Sequence, residues 1–270
     1  MRVLGSVLPL AVVLGFVLGS AGSAHSQEQE PRTARLWSGN HALTLPRGRL
    51  EVGLLQSSHY GLTDRVELSL HPLLFFALPH VEAKVSYERS ARHALSMRGR
   101  LAYPSLFLGL VSREGSGGLL PKTSSPPQAL LVEGDVLGTL FWQPQQLVTA
   151  TVGLAVAPHT AFTPAELPLL DFPFLYPRFA PLYTVLVPRA SLGFEGRLTS
   201  RLFYELQLLG YLMPALPDAG TAYALEQALA LEYRFNDNVA ASLGLRASEA
   251  AYAYGSRVHF LPYLDVRVGF

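Results

Sequence analysis

The chain ends in the stretch that decides its fold, RVHFLPYLDVRVGF, residues 257–270. Its titratable side chains all fall on odd positions, Arg257, His259, Asp265 and Arg267. Its even positions, from Val258 to Phe270, carry only apolar side chains. Because successive side chains of a β-strand point to opposite faces, this pattern predicts a strand with one face in lipid and the other lining an interior.

The same alternation recurs along the chain. Where a segment holds several charged residues, they all occupy alternate positions on one face of the strand, and none lies among the apolar residues of the other face. The other segments are 49–56, 65–71, 81–88, 95–103, 130–140, 148–156, 186–197, 201–208, 225–235 and 239–246. A twelfth segment, Leu36 to Leu45, is added because both ends of such a barrel lie on one side, which requires an even strand number.

We therefore predict an all-β fold, a transmembrane antiparallel up-and-down β-barrel of about twelve strands, within a range of ten to fourteen. A soluble β-sandwich is the alternative, because its strands also alternate.

Composition narrows the class of protein. The chain of 270 residues has 21 basic and 20 acidic residues, a mean hydropathy of +0.25 and no cysteine. Near-neutral charge argues against nucleic acid as a partner. Without cysteine there is no disulfide, thiolate metal site or cysteine nucleophile. After Leu18 no uncharged apolar run is long enough for a membrane helix, which excludes a helical membrane protein.

The N-terminus has the pattern of an export signal. Arg2 is followed by an apolar stretch from Val3 to Leu18 and then by small residues from Ser20 to Ala24. This predicts a signal peptide over 1–26, cleaved after Ala24 or Ser26, then a periplasmic tail over 27–35 and a barrel over 36–270.

Connections of two lengths alternate along the chain. Short polar turns are expected at 61–64, 90–93, 143–146, 198–200 and 236–238, and longer connections at 113–128, 159–183, 214–221 and 248–255. Barrels of the bacterial outer membrane have short periplasmic turns and longer outer loops. The sequence therefore predicts the outer membrane of a Gram-negative-type bacterium, with membrane lipid as a partner.

The last eight residues resemble the C-terminal signature of outer-membrane β-barrels. The residues that carry this resemblance are Tyr263, Leu264, Val266, Val268 and Phe270. It implies that the last strand is read by the barrel-insertion machinery. The stretch YGLTDRVEL, residues 60–68, resembles a turn of transporter-like or phenol-degradation-associated outer-membrane barrels and places Thr63, Asp64 and Arg65 at a periplasmic turn.

The residues on the charged face of each strand are predicted to line the lumen. Twelve basic residues face inward: Arg49, Arg65, Lys84, Arg98, Arg100, Arg189, Arg197, Arg201, Arg234, Arg246, Arg257 and Arg267. Eleven acidic residues join them: Glu51, Glu67, Glu82, Glu88, Glu133, Asp135, Glu195, Glu205, Glu226, Glu232 and Asp265. Near balance indicates ion-pair networks rather than a charge-selective ring.

The connection from Thr163 to Tyr183 is unusually apolar for an outer loop. Because large apolar patches are rarely left exposed to water, we expect the apolar side chains of this loop to be buried and to act as a lid on the barrel mouth. They are Leu170, Phe172, Phe174, Tyr176 and Phe179. The alternatives are a loop on the membrane interface and a partner-docking surface.

Three functions fit these observations. The first is a narrow pore or facilitated transporter for small solutes, and the second is a structural or interaction barrel without a through-path. The third is a lipid-acting hydrolase using His259 as a base, but the sequence shows no serine motif on a strand and no pair of histidines spaced as metal ligands. We expect no enzyme activity, no cofactor and no metal.

Overall fold

A computed structural model describes residues 37–115, 118–122, 126, 128–143, 146–158, 174–216, 220–252 and 255–270. The expected signal peptide (1–26), the expected tail (27–35) and Leu36 of the expected first strand lie outside these residues, as do Leu170 and Phe172 of the apolar loop.

Twelve antiparallel strands close into a barrel in which each strand pairs with its chain neighbours and β1 pairs with β12. The predicted fold class is thus confirmed. The strands are β1 Leu50–Gly53, β2 Ser58–Thr63, β3 Val66–Leu70, β4 His80–Arg89, β5 His93–Ala102, β6 Leu131–Gln143, β7 Gln146–Val156, β8 Leu186–Arg197, β9 Leu202–Leu216, β10 Gly220–Arg234, β11 Val239–Tyr252 and β12 Gly255–Gly269.

The predicted strand from Leu36 to Leu45 is wrong. Residues 37–45 form no strand, and all but Gly39 and Asn40 are buried. This segment, which we call the plug, lies inside the barrel and bonds to its wall. The physical reason is its poor alternation: apolar Leu43 and Leu45 share a parity with Trp37, but no charged residue marks an opposite face.

The strand count is still twelve because residues 49–71 form three strands where two were expected. The prediction missed β2, because it ended one strand at Gln56, placed a turn at 61–64 and assigned no strand between them. The actual turn between β2 and β3 lies at Asp64 and Arg65.

Two expected long outer connections are also wrong. β9 runs to Leu216 before β10 begins at Gly220, and β11 runs to Tyr252 before β12 begins at Gly255. The alanines and tyrosines in these stretches continue the strand alternation, so the strands of these two hairpins are longer than predicted.

The described parts of the outer connections contain four short helices: α1 Pro72–Phe75, α2 Ser105–Val111, α3 Tyr176–Phe179 and α4 Pro181–Thr184. Pro72, Pro177 and Pro181 stand in the first turns of their helices, where a missing N–H costs no hydrogen bond. Among the described residues, no helix has the length and apolarity needed to cross a membrane.

The outer face of the barrel is apolar. Val152, Leu243, Leu264 and Phe260 are each at least 60% exposed. They lie on the parity opposite to the buried charges, so the two faces of the wall differ as a lipid-embedded barrel requires.

Candidate functional site

Ion pairs join β5, β6 and β8 along the inner face of the wall. Asp135 accepts hydrogen bonds from Arg98 Nη2 at 2.8 Å and from Arg189 Nε at 2.8 Å. Arg189 also donates to Glu133 at 2.5 Å, and Arg100 lies 3.7 Å from Glu133. Because each buried carboxylate has a cationic partner, burial of these charges is compensated.

A glycine makes room for this network. A Cβ on Gly153, in β7, would overlap the carboxylate of Asp135 on neighbouring β6. The absence of a side chain at this position therefore lets Asp135 lie across the strand and reach both arginines.

The plug is anchored at its start by an aromatic ring between two cations. Arg49 lies 5.2 Å and Arg267 lies 5.1 Å from the centroid of the Trp37 ring. Arg267 also donates to the carbonyl of Ser38 at 3.0 Å. Cation–π contacts and a charge-assisted hydrogen bond thus fix the plug beside the last strand.

Glu67 of β3 is the main acceptor for the plug. Its carboxylate accepts from Ser38 Oγ at 2.6 Å and from the Leu45 backbone N–H at 2.9 Å. Lys84 Nζ lies 3.2 Å from the same carboxylate, and His59 Nδ1 lies 3.0 Å from it. One buried wall carboxylate therefore ties both ends of the plug.

Further wall side chains reach the middle of the plug. The Ala42 N–H donates to Thr139 Oγ1 at 2.8 Å, and Asn40 donates to Glu205 at 2.9 Å. From Trp37 to Leu45, no described backbone group pairs with a wall backbone group. The plug is thus held by side-chain contacts and contributes no strand.

His41 is buried inside the barrel on the plug. Burial and the nearby Lys84 ammonium lower the pKa of His41 from its ordinary value to about 4. Its Nε2 lies 3.2 Å from the Trp37 carbonyl and 4.0 Å from Glu195. His41 is therefore neutral at pH 7 while the plug is docked.

Residues 174–184 fold into the outer mouth of the barrel, and we call them the mouth segment. Arg178 donates through Nη2 to Glu226 of β10 at 2.8 Å and through Nη1 to the Phe174 carbonyl at 2.6 Å. Its guanidinium lies 5.8 Å from the Tyr211 ring centroid. A cation from the loop therefore reaches a buried carboxylate of the wall.

Apolar contacts complete the seating of the mouth segment. Tyr176 and Ala180 pack in a buried cluster with wall residues such as Met213 and Ala224. Phe179 and Leu182 join a second cluster with α2 and the outer ends of β5 and β6, where Phe107 stacks on Phe179 at 5.5 Å. Three residues of the expected lid, Phe174, Tyr176 and Phe179, are therefore buried in the mouth.

The structure places most predicted lumen residues on the inner face of the wall, buried or half-buried. They are Arg49, Glu51, Glu67, Glu82, Lys84, Arg98, Arg100, Glu133, Asp135, Arg189, Glu195, Glu205, Glu226, Glu232, Arg234, Arg246, His259, Asp265 and Arg267. Five others, Arg65, Glu88, Arg197, Arg201 and Arg257, are exposed. Arg65 and Arg201 lie in turns and Arg197 ends β8, so these three are at the rim.

Of the predicted insertion-signal residues, Leu264, Val266 and Phe270 are exposed on the outer face. Val268 is half-buried on the same parity, and Tyr263 is half-buried on the inner face.

Sequence reasoning missed several residues that lie buried inside the barrel. Trp37, Ser38 and His41 lay in a segment expected to be a strand, and Arg178 was not singled out within the loop. A signal for Arg178 was its isolation: it is the one basic residue between Thr163 and Tyr183, in an otherwise apolar stretch.

A depression of about 1120 Å³ lies on the outside of the wall, across β5 to β10. Most of its lining residues face lipid, among them Val136, Val152 and Leu212, and inward-facing Asp135, Arg189 and Tyr211 also contribute to it. Among the described residues, no cluster of three potential metal ligands occurs.

The sequence matches no protein-family model and no curated protein. Solved structures with a similar fold are bacterial outer-membrane porins and channels. In vitro folded OmpT of Vibrio cholerae has 10% identity and a TM-score of 0.45, covering 82% of this chain and 64% of that one. This chain therefore spans less than two thirds of the OmpT structure.

Two further structures are similar. The NanC porin has 10% identity and a TM-score of 0.46, covering 82% of this chain and 96% of that chain. The channel DcaP of Acinetobacter baumannii has 10% identity and a TM-score of 0.42, covering 92% of this chain and 68% of that one.

The architecture of the barrel indicates where the protein lies in the cell. It has an even strand number, an apolar outer face, and short turns at the end that holds Trp37 and Phe270. This is the architecture of the bacterial outer membrane. The protein is a twelve-stranded β-barrel with the architecture of the bacterial outer membrane.

Proposed function

We propose that this protein is a narrow outer-membrane channel for small solutes, closed in this conformation by the plug from the periplasmic side and by the mouth segment from outside. One observation carries the proposal. Both closing segments are held by side-chain contacts, so either one can leave the lumen without breaking a strand pair of the wall.

The interior between the two segments supports small neutral or zwitterionic solutes. Its charges are paired in the networks of Asp135, Glu133 and Glu67 instead of forming a ring of one sign. A channel selective for anions or cations would carry an excess of one charge along its path.

Liposome swelling tests this function. The full mature chain, and a variant lacking residues 37–45, would be reconstituted and exposed to sugars, amino acids and aromatic acids. We expect swelling that increases several-fold in the deletion variant. Absence of swelling for every solute in both proteins would contradict a channel and favour a structural barrel without a through-path.

The structural alternative has support of its own, since buried ion pairs and two seated segments fill the lumen in this conformation. A folded deletion variant that stays closed would favour it. The lipid-hydrolase alternative would have to use His259, whose cross-strand neighbour on β11 is Ser248. Phospholipid hydrolysis that is lost in His259→Ala would support that reading, and none is expected.

The exposed apolar residues of the last strand support a role in membrane insertion. We propose that Leu264, Val266 and Phe270 are recognised by the barrel-insertion machinery, with outer-membrane lipid as the surrounding partner.

A further inference from the structure

Three adjacent strands, β1 to β3, are short, so this part of the wall has a smaller height along the barrel axis than the rest. We call it the low wall. β1, β2 and β3 have four, six and five residues, whereas the other nine strands have ten to fifteen. At about 3.3 Å per residue, strands of this length span roughly 13–20 Å, which is less than the ~25 Å apolar band of an outer-membrane barrel. The wall is therefore incomplete on the outer side of these strands.

The neighbouring strand β12 has an edge without a strand partner above this low wall. β1 pairs with Arg267, Val268 and Gly269, and the Leu54 N–H donates to the Val266 carbonyl at 3.1 Å. Among the described residues, no strand pairs with β12 on this side from Leu264 back to Val258. An unpaired strand edge in hydrocarbon is unfavourable unless water or another molecule reaches it.

The sequence of β12 is adapted to this edge. The backbone groups of Phe270 and Val266 form hydrogen bonds with the β1 side. Because the direction of the backbone groups alternates along a strand, the remaining even-numbered residues direct their backbone N–H and C=O groups toward the open side. These residues are Val258, Phe260, Pro262 and Leu264. Pro262 has no N–H to leave unpaired there.

The rim of the low wall is apolar. The connection between β1 and β2 exposes Leu54 and Leu55, and α1 with the residue that follows it exposes Leu73 and Phe76. His71 joins the two, because its Nε2 lies 3.0 Å from the Leu55 carbonyl and its Nδ1 accepts from the Leu74 N–H at 3.1 Å. A lipid-soluble molecule would thus meet apolar side chains on this side of the gap.

The inner side of the gap combines an apolar side chain with a cation. Leu261 lies on the lumen-facing parity of β12 and is 46% exposed. Its cross-strand neighbour on β11 is Arg246, which forms no ion pair with a carboxylate among the described residues. Arg189, Arg98 and Arg178, by contrast, each bind a carboxylate of the wall.

We propose that the gap between residues 258–264 of β12 and the low wall of β1 to β3 is a lateral opening between the lumen and the membrane. The molecule that it admits is a carboxylate with an extended apolar body. Arg246 binds the carboxylate, and Leu261 and the apolar rim contact the body. The proposal rests on the proposed function in one respect, that the lumen carries solutes. It adds a carboxylate that enters from the membrane and binds Arg246 to the neutral or zwitterionic solutes proposed for the path between the plug and the mouth segment.

Electron paramagnetic resonance tests the opening itself, independently of any transport. The chain has no cysteine, so a single spin label can be placed by Leu261→Cys. Leu243→Cys, on the lipid-facing parity of β11, is the lipid reference. Gln207→Cys, on the inner face of β9 between two fully paired strands, is the lumen reference.

We expect the label at 261 to collide with oxygen dissolved in the bilayer nearly as often as the label at 243, and several-fold more often than the label at 207. A label at 261 that behaves like the label at 207 would overturn the lateral opening. It would leave the channel function intact, since liposome swelling reports on that function separately.

Binding of laurate tests the ligand class. Equilibrium binding would be measured with the full mature chain in a zwitterionic detergent. We expect Arg246→Gln to weaken laurate binding about tenfold, because a charge-assisted hydrogen bond is lost, and Arg246→Lys to retain part of the affinity. Arg197→Gln, at the exposed end of β8, is the matched control and should bind as the unchanged chain does. Equal affinity of the Arg246→Gln variant and the control would overturn the role of Arg246.

Discussion

At the scale of single residues, Gly153 permits the charge network of the lumen. In Gly153→Ala the new Cβ would displace the Asp135 carboxylate from Arg98 and Arg189. We expect the free energy of unfolding to fall by about 3–5 kcal/mol, the range for breaking a buried ion pair. Urea unfolding of the reconstituted barrel measures it.

The control for this prediction is Gly138→Ala on adjoining β6, where an added Cβ meets no atom within 4 Å. It should change the unfolding free energy by less than about 1 kcal/mol. Equal effects of the two substitutions would show that Asp135 does not depend on the space at Gly153.

His41 makes plug docking depend on pH. Its pKa is about 4 in the docked plug and about 6.5 in a solvated one, so the undocked state binds more protons between these values. Docking stability is therefore complete above pH 6.5 and is lost as the pH falls toward 4, by about 2 kcal/mol at pH 5.

Single-channel recordings at pH 7.5 and pH 5 would measure this effect as a larger open fraction at pH 5. In His41→Gln the pH dependence should shrink, whereas His93→Gln, in the exposed turn beside Glu88, should keep it. Retention of the full pH effect in His41→Gln would assign it to another group.

At the scale of elements, the plug depends on one wall carboxylate. Glu67→Gln weakens the hydrogen bonds from Ser38 and Leu45 and leaves Lys84 without its ion pair. We expect the plug to undock, with a several-fold rise in proteolysis of residues 37–45 from the periplasmic side. Glu88→Gln, at the exposed end of β4, is the control, and equal proteolysis of both variants would argue against Glu67 as the anchor.

The mouth segment depends on Arg178 in the same way. Arg178→Met removes the partner of buried Glu226 and should loosen the segment, raising single-channel conductance. Adding Glu226→Gln removes the uncompensated charge, so the double variant should recover part of the stability lost in Arg178→Met. Additive losses in the double-mutant cycle would show that the two side chains are not coupled.

At the scale of the whole molecule, the apolar outer face determines the solvent that the barrel needs. Leu243, Leu264, Val152 and Phe260 would be exposed to water in a soluble protein. We expect the processed chain to require detergent or lipid, and to migrate faster on electrophoresis before heating than after it. Recovery of a folded monomer from buffer without detergent would contradict a membrane barrel.

The sequence by itself determined the barrel and the direction of its side chains. Alternation has a period of two residues, so a strand such as β10 or β12 assigns each charge to a face from local information alone. The ends of the strands were predicted less accurately than their faces. Alanine is compatible with both a strand and a connection, so Ala222, Ala224 and Ala250 gave no signal that β10 and β11 include them.

Only the tertiary structure decided which segments lie inside the barrel. The plug and the mouth segment have no periodic pattern, and their places depend on partners far away in the chain, as in Asn40 with Glu205 and Arg178 with Glu226. The low wall followed from the register of β1 on β12, which pairing between the chain ends sets. Long-range pairing and burial of polar groups fix these features, and neither has a local signature in the sequence.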